Sequence, residues 1–458
     1  MKKNDDILMK DINYLSKAEP GLSKKIIEEI SYSKSEPNWM RELRLKALEY
    51  FIQRPNPNFG VDISTLDLDS IVNYVRPNSK RERSWEDVPE EIRENFEKLG
   101  IPEAERKSLA GVGAQYDSEM VYHNMKEFLS KLGVIFLDMD SAIKQYPDLV
   151  KKYFMHLIPP NDHKFAALHG AVWSGGTFVY VPENVNVPLP IQSYYLMGSP
   201  GMGQFEHTLI VVDKGAHFEF IEGCSGQNYS ISNLHAGAVE IYVEEGATIK
   251  FSTIENWAKN TYNLNTKRAS IDKDGTIIWI SGTMGSAKTM LYPSSILKGK
   301  GARAEYTTIA YAGQGQHLDT GTKVFHLAPY TSSKVDSRSI SFGGGYSFYR
   351  GLVKVSESAI HSKSSVDCSA LMVDDISKSD TLPIIEVMNN ESDIAHEAYV
   401  GRINEDQIYY LMSRGLTEDD ARALIVRGFL DPFIKQMPFE YAVEFNRLID
   451  MHFNSKIG

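Results

Sequence analysis

A chain of 458 residues, 42% hydrophobic and 24% charged, has room for two to four domains with sizeable cores. Its net charge of −11, carried without any basic block, argues against nucleic acid as the main partner. Two cysteines, an N-terminus (MKKNDDILMK) without an apolar signal core, and no apolar run near ~18 residues point to a reduced, cytoplasmic protein that does not enter a membrane.

Residues 1–163 read as a mostly helical domain. Ser23 is a cap for a run that places Ile26, Ile27 and Ile30 on one face. After Pro37, apolar residues recur at Met40, Leu43, Leu45, Leu48 and Phe51, until RPNPN breaks the pattern. A helix opens at Pro89 and stops at Gly100, and 114–132 and 140–155 read as mixed or helical segments.

Residues 164–402 change texture. Short runs rich in β-branched and aromatic residues, such as FVYV, TLIVV, VEIYV and TIIWI, follow one another between polar or Gly turns. No strong helical pattern interrupts them, so the class is a sandwich, a barrel or a solenoid. The runs recur irregularly, without a strict sequence repeat. Two-residue hairpin turns are nearly absent, Asp274-Gly275 being the clear case, and this favours a parallel β-helix. Residues 403–458 return to helix, with capped starts at Asn404 and Thr417, a stop at Gly428, and a third helix opening at Pro438. Such a bundle either caps the open end of the solenoid or docks a partner.

Chemistry concentrates between Val366 and Val400. Cys368 lies on a strand-like run with small apolar neighbours, and His396-Glu397 follows one polar turn later. Thiolate, imidazole and carboxylate together suit a soft metal or an iron–sulfur cluster better than a closed structural zinc site, although no CxxC is present. Read alone, each cysteine is more often an inert core residue. Cys224, after another β run, reads as a sulfur carrier or a small core residue. Lys267 would lower a nearby thiol's pKa, and Trp257 lies on a neighbouring segment. Both also have bland readings, a solvated turn for Lys267 and core packing for Trp257. His317 and His326 are weaker ligand candidates. Asp374, Asp375 and Asp380 resemble the acid pairs of β-helical glycosidases less than they resemble an ordinary polar turn. Gly343-Gly344-Gly345 lacks the Lys-Ser/Thr of a phosphate loop, so any ATPase is another subunit.

Taken together, EPNWMRELRLKALEYF, KFAALHGAVWSGGTFVYVP, IEGCS, NWAKNTYNLNTKRA, GQHLDTGTKVFHLAP, VDCSALMVDD, SDTLPIIEVMNN and YYLMSRGLTEDDARALIVRGF closely resemble the SufB/SufD family of SUF-system scaffold proteins, with SufB-type features. The resemblance implies a right-handed parallel β-helix with helical domains at both ends, and a scaffold that is not itself an enzyme. It implies a SufC-type ABC ATPase docked on the C-terminal helices, and a SufD paralogue or a second copy of the chain. A cysteine desulfurase or sulfur-transfer protein would supply persulfide sulfur, and apo iron–sulfur proteins would receive the product. The cargo would be a transient iron–sulfur cluster, with the participation of reduced flavin left open. Residue by residue, the resemblance assigns cluster ligation to Cys368, His396 and Glu397, and a sulfur relay to Cys224, Trp257, Lys267 and Cys368. Three departures stand out. Ala395 replaces a common Glu, Glu255-Asn256-Trp257 replaces Gln-Asn-Trp, and Leu196-Met197-Gly198 replaces Arg-x-Asn. A carboxylate at 255 would repel anionic sulfur unless protonated or paired. A SufD-type architectural subunit without a cluster and a β-helical carbohydrate enzyme are the competing readings.

Overall fold

The computed structural model describes residues 13–98, 109–437 and 442. The expected helix stop at Gly100 and the expected third C-terminal helix lie outside the described residues, Ala442 excepted.

The centre is a parallel β-solenoid. Seven ten-residue strands, His217–Gly226, Thr248–Trp257, Thr276–Gly285, Arg303–Ala312, Ser332–Ser341, Lys363–Met372 and Asp393–Arg402, pair in that order within one sheet. All six of these pairings are parallel and in register. A second sheet carries the return strands, including Ala238–Val243, Thr266–Ile271, Ser294–Leu297, Lys323–His326, Tyr346–Val355 and Lys378–Val387. Asp274-Gly275 is not a hairpin. Asp274, at positive φ, turns a corner between Thr266–Ile271 and Thr276–Gly285, which belong to different sheets.

Alternation along the long strands explains the interior. The fourth position of successive strands is Phe220, Phe251, Trp279, Tyr306, Val335, Val366 and finally His396. The first six belong to one buried cluster, and the aromatic rings follow one another at centroid distances of 5.7, 5.3 and 6.3 Å. Each such pair contributes about 0.5–1.5 kcal/mol beyond its burial. The outward positions Ile254, Ile280, Ile309, Ile340 and Leu371 form a second cluster with Ile408, Val426, Leu430 and Phe433 of the C-terminal helices. Those helices, Glu405–Ser413 and Glu418–Ile434, therefore lie against the side of the sheet and do not cap the end of the solenoid. Gly428 does not stop the second helix, which runs on through Pro432.

The last rung is consequently open. Among the described residues, Asp393–Arg402 is the terminal strand of its sheet, and Lys378–Val387 pairs only with Tyr346–Val355. Leu382, Ile384, Ile385, Val387, Tyr399 and Val400 are exposed along these two edges. Pro383, which has no N–H to give to a ladder, suits an edge strand.

Upstream, helices Lys24–Ser33 and Asn38–Gln53 form as expected, and Ser23 accepts from the Ile26 amide at 3.3 Å. Segment 114–132 departs from its mixed or helical expectation. Most of it belongs to the hairpin of Gly111–Tyr116 and Glu119–Met125, whose first strand pairs in parallel with Ile191–Met197 and extends the solenoid sheet.

Candidate functional site at the last rung

Cys368 is the sixth residue of its strand, and the pleat turns it into the solenoid beside Val366. His396, one strand on, is the register partner of Val366 and points the same way. The diagonal brings Cys368 Sγ to 3.3 Å from His396 Nε2, 3.4 Å from Thr381 Oγ1 and 3.6 Å from the Glu397 carbonyl oxygen. Cys368 is only 4% exposed, while His396 is half-buried at the open edge. Burial pushes the Cys368 thiol up and the His396 imidazole down, so both groups are neutral near pH 7.

Glu397 is placed differently. It pairs in register with Asp367, so its carboxylate belongs to the outer face of the same strand, beside the Asp367–Arg338 ion pair of 3.4 Å. Cys368 and His396 thus meet directly, and Glu397 reaches the thiol only through its main chain. Among the described residues, no group of three His, Cys, Asp or Glu side chains is arranged to hold a metal ion.

The second cysteine lies in a buried polar chamber several rungs away. Cys224 pairs in register with Glu255 and shares an apolar cluster with Trp257. Lys267 enters from the opposite sheet. Its ammonium contacts Glu222 at 2.8 Å, Glu255 at 2.9 Å and Thr253 at 3.0 Å. The Trp257 ring lies against His235, tilted, at 4.3 Å, and its indole N–H has no partner among the described residues. The lysine does not produce a low-pKa thiol. Burial, reinforced by Glu222, Glu206 and Glu255, pushes Cys224 well above the usual thiol range, against the opposing pull of Lys267. Glu255 is the paired carboxylate that the sequence called for. Burial raises its pKa, but Lys267 and His235 outweigh burial and leave it below its ordinary value. Glu222 is left above its ordinary value, with burial prevailing. Gly198 also has a local reason, because a Cβ there would lie 1.9 Å from the Tyr116 hydroxyl.

A feature missed in the sequence runs from the Glu222 level, two residues before Cys224, to Cys368. The sixth positions of successive strands form one inward column, Glu222, Thr253, Ser281, Thr308, Ser337 and Cys368. Thr308 donates to Ser337 at 2.9 Å. Five strand spacings make the column about 24 Å long. It runs beside the aromatic column, so the solenoid interior has a hydroxyl-lined lane. Aligning the ten-residue strands on their turns would have exposed this polar position recurring about every 30 residues.

The weaker candidates are accounted for locally. His326 is buried with both ring nitrogens engaged, by Thr331 and Ser333, and His317 stacks on Tyr346 at 4.2 Å. Asp374 accepts from Ser377, Asp375 pairs with Arg402, and Asp380 accepts from Tyr346, so the three carboxylates do not form an acid pair.

Comparison with known proteins follows the same lines. Residues 195–429 match the family model described as "SUF system FeS cluster assembly, SufBD core domain", and residues 27–193 match "SufBD protein N-terminal region". The iron–sulfur cluster assembly protein SufB of Bacillus subtilis is 50% identical over 98% of this chain and 96% of its own. Iron–sulfur cluster assembly SufBD family proteins of Staphylococcus epidermidis and Staphylococcus aureus are each 49% identical over 96% of this chain and 95% of theirs.

Proposed function

Because the chain belongs to the SufBD family of iron–sulfur cluster assembly proteins, we propose that it is the scaffold on which a nascent cluster is built at the last rung. The observation that carries this reading is the 3.3 Å contact between Cys368 Sγ and His396 Nε2 at an open solenoid edge. A thiol must lose its proton before it binds iron or takes up sulfane sulfur. The neutral imidazole beside it accepts that proton and passes it to solvent at the open edge, and iron then finds a thiolate and a neutral imidazole on one face. Glu397 supplies a carboxylate after its strand edge shifts or pairs with a partner. Two or three side chains do not complete a cluster's coordination. The remaining ligands come from the chain that covers the exposed apolar edge, a SufD-type paralogue or a second copy. Ala395, which offers no ligand atom, fits this division of labour.

Sulfur arrives from a desulfurase system as persulfide; the Cys224 thiolate, beside Trp257 and Lys267, takes the outer sulfur and the donor cysteine leaves as thiolate. A two-electron reductant such as reduced flavin then cleaves the Cys224 persulfide to thiolate and hydrosulfide, and the hydrosulfide passes down the hydroxyl column to Cys368. ATP hydrolysis belongs to a SufC-type partner. The exposed Tyr409, Tyr410, Met412 and Leu424 of the C-terminal helices form the docking surface for that partner. The finished cluster is cargo, handed on to apo-proteins. Among the described residues no helix is long and apolar enough to cross a membrane.

Anaerobic reconstitution of the complex with iron and sulfide tests the site. The visible charge-transfer band is expected to be lost in Cys368→Ser and reduced in His396→Ala and Glu397→Ala. An unchanged band in Cys368→Ser and Glu397→Ala would show the assignment to be wrong. ATPase docking with no Cys368-dependent cluster would favour an architectural subunit instead.

A further inference from the structure

The outer face of the second sheet carries a cavity that is separate from the last rung. Arg268, Ser294 and Lys323 are register partners on three adjacent strands, so their side chains form one outward column. Segments 54–59 and 162–165 overhang this column and enclose about 590 Å³, within the ~300–1,000 Å³ range of small-molecule sites.

The lining is unusual for a chain of net charge −11. Arg54, Lys164, Arg268 and Lys323 border the cavity, and Asp162 is the one carboxylate among the lining residues. Asp162 is taken by Arg268 at 2.8 Å. Lys323 has the Tyr292 ring 4.9 Å from its ammonium, and among the described residues no carboxylate is ion-paired with it. Burial, followed by the nearby Arg268, lowers its pKa, as befits a cation short of a counter-charge. The helix Lys164–Val172 begins at the cavity wall, and its N-terminal end adds positive potential.

One further group waits for a partner. Ser294 is 3% exposed and lines the cavity, and its Oγ has no hydrogen-bond partner among the described residues, whereas Asn265 gives its amide to Glu255 of the inner chamber at 2.8 Å. A hydroxyl between two cations in register is a donor to an oxyanion. The rest of the lining is an apolar wall that adjoins the column at Tyr292. The Phe59 and Tyr292 rings lie 6.4 Å apart, tilted by 45°, and Phe165, Leu264 and Met290 complete it.

We propose that this cavity binds a phosphorylated small molecule bearing a flat ring, of the nucleoside monophosphate class, with phosphate on the Arg268–Ser294–Lys323 column and the ring on the Phe59–Tyr292 wall. A dianion matches the surplus of cations better than a single carboxylate does. The site is independent of the cluster-assembly reading and needs no iron or sulfur for its test.

Calorimetric titration of the full chain at low salt with adenosine monophosphate, inorganic phosphate and adenosine separates the two halves of the proposal. Adenosine monophosphate is expected to bind, inorganic phosphate to compete more weakly, and adenosine to bind more weakly still. Lys323→Gln should weaken the monophosphate about tenfold. Ser294→Ala, which keeps every charge and removes one hydroxyl, should weaken it a few fold, and Lys300→Gln, outside the cavity, should not alter it. The proposal is overturned if the monophosphate does not bind at about 1 mM, if adenosine or inorganic phosphate binds as tightly, or if both cavity variants bind like the parent.

Discussion

Lys267→Met removes the one ammonium held between Glu222 and Glu255 while nearly keeping the side-chain volume. At an effective dielectric of about 20, contacts of 2.8 and 2.9 Å each carry roughly 6 kcal/mol of attraction. Most of that is offset by the desolvation of three charges, since Lys267, Glu222 and Glu255 are all 2% exposed or less. Removing one partner from a buried cluster leaves uncompensated charge and costs about 3–5 kcal/mol. The sign of the pH dependence follows from the carboxylates. In the parent chain Glu255 is held below its ordinary pKa, so its contribution is present above the unfolded value and is lost as pH falls through the folded one. Without Lys267, burial with the neighbouring Glu206 and Glu255 raises Glu222 further above the unfolded value of about 4.3, while His235 and Asn263 still oppose burial at Glu255. The folded variant then binds more protons than its unfolded chain, and its stability falls as pH rises. Urea unfolding followed by tryptophan fluorescence should show a deficit that is small near pH 5 and full by about pH 8. Adding Glu222→Gln should recover part of it. A deficit under about 1 kcal/mol, or one independent of pH, would refute the view that Lys267 neutralises this chamber.

Two other outcomes follow. Both thiols are pushed up by burial, Cys224 the more strongly, so native-state alkylation at about pH 8 should be at least tenfold slower than in urea, with Cys224 the slower of the two by mass spectrometry. Thr308→Val replaces a column hydroxyl by a side chain of similar shape. It should leave reconstitution with free sulfide intact while sulfur delivered through Cys224 no longer reaches Cys368, and equal delivery in parent and variant would remove the column from the route.

The β-helix was legible in the sequence because strand composition, turn glycines and missing hairpin signals all pointed the same way. Its repeat was not, because what recurs is an inward position and not a residue type. Phe220, Phe251, Trp279, Tyr306 and Val335 share one place in the fold but no common letter. The Cys368–His396 contact was legible once strand adjacency was granted. The outward placement of Glu397 follows from the same alternation, since neighbouring residues on a strand face opposite ways. The chamber's charge balance was out of reach, because Lys267 meets Glu222 and Glu255 across the solenoid and the sign of Cys224's shift depends on burial as much as on charge. The C-terminal helices were found as helices, but their choice of the sheet's side over its end depends on the outward isoleucines, whose partners no local pattern names.

The open rung is where these threads meet. A solenoid ordinarily protects its last edge with a cap, charges or bulges, since bare ladders invite pairing. Here the C-terminal helices that could have capped it are spent on the flank, and the two edge strands carry apolar side chains into solvent. The aromatic column ends there in His396 and the hydroxyl column in Cys368, one strand apart, each inner lane exchanging packing for a side chain able to bind metal. On the proposed assignment, an edge unpaired among the described residues and an incomplete ligand set would be satisfied by one event, the docking of another chain. Closing the edge would bury the apolar strip, fix Asp393–Arg402, and bring donor atoms to a thiol and imidazole already 3.3 Å apart. On this reasoning a charge placed in the strip, Ile385→Asp, should abolish both pairing with the partner chain and cluster retention while leaving the Cys368–His396 pair intact, a combination that sedimentation and the charge-transfer band would report together. A band retained with assembly lost would separate the two and place the missing ligands within this chain.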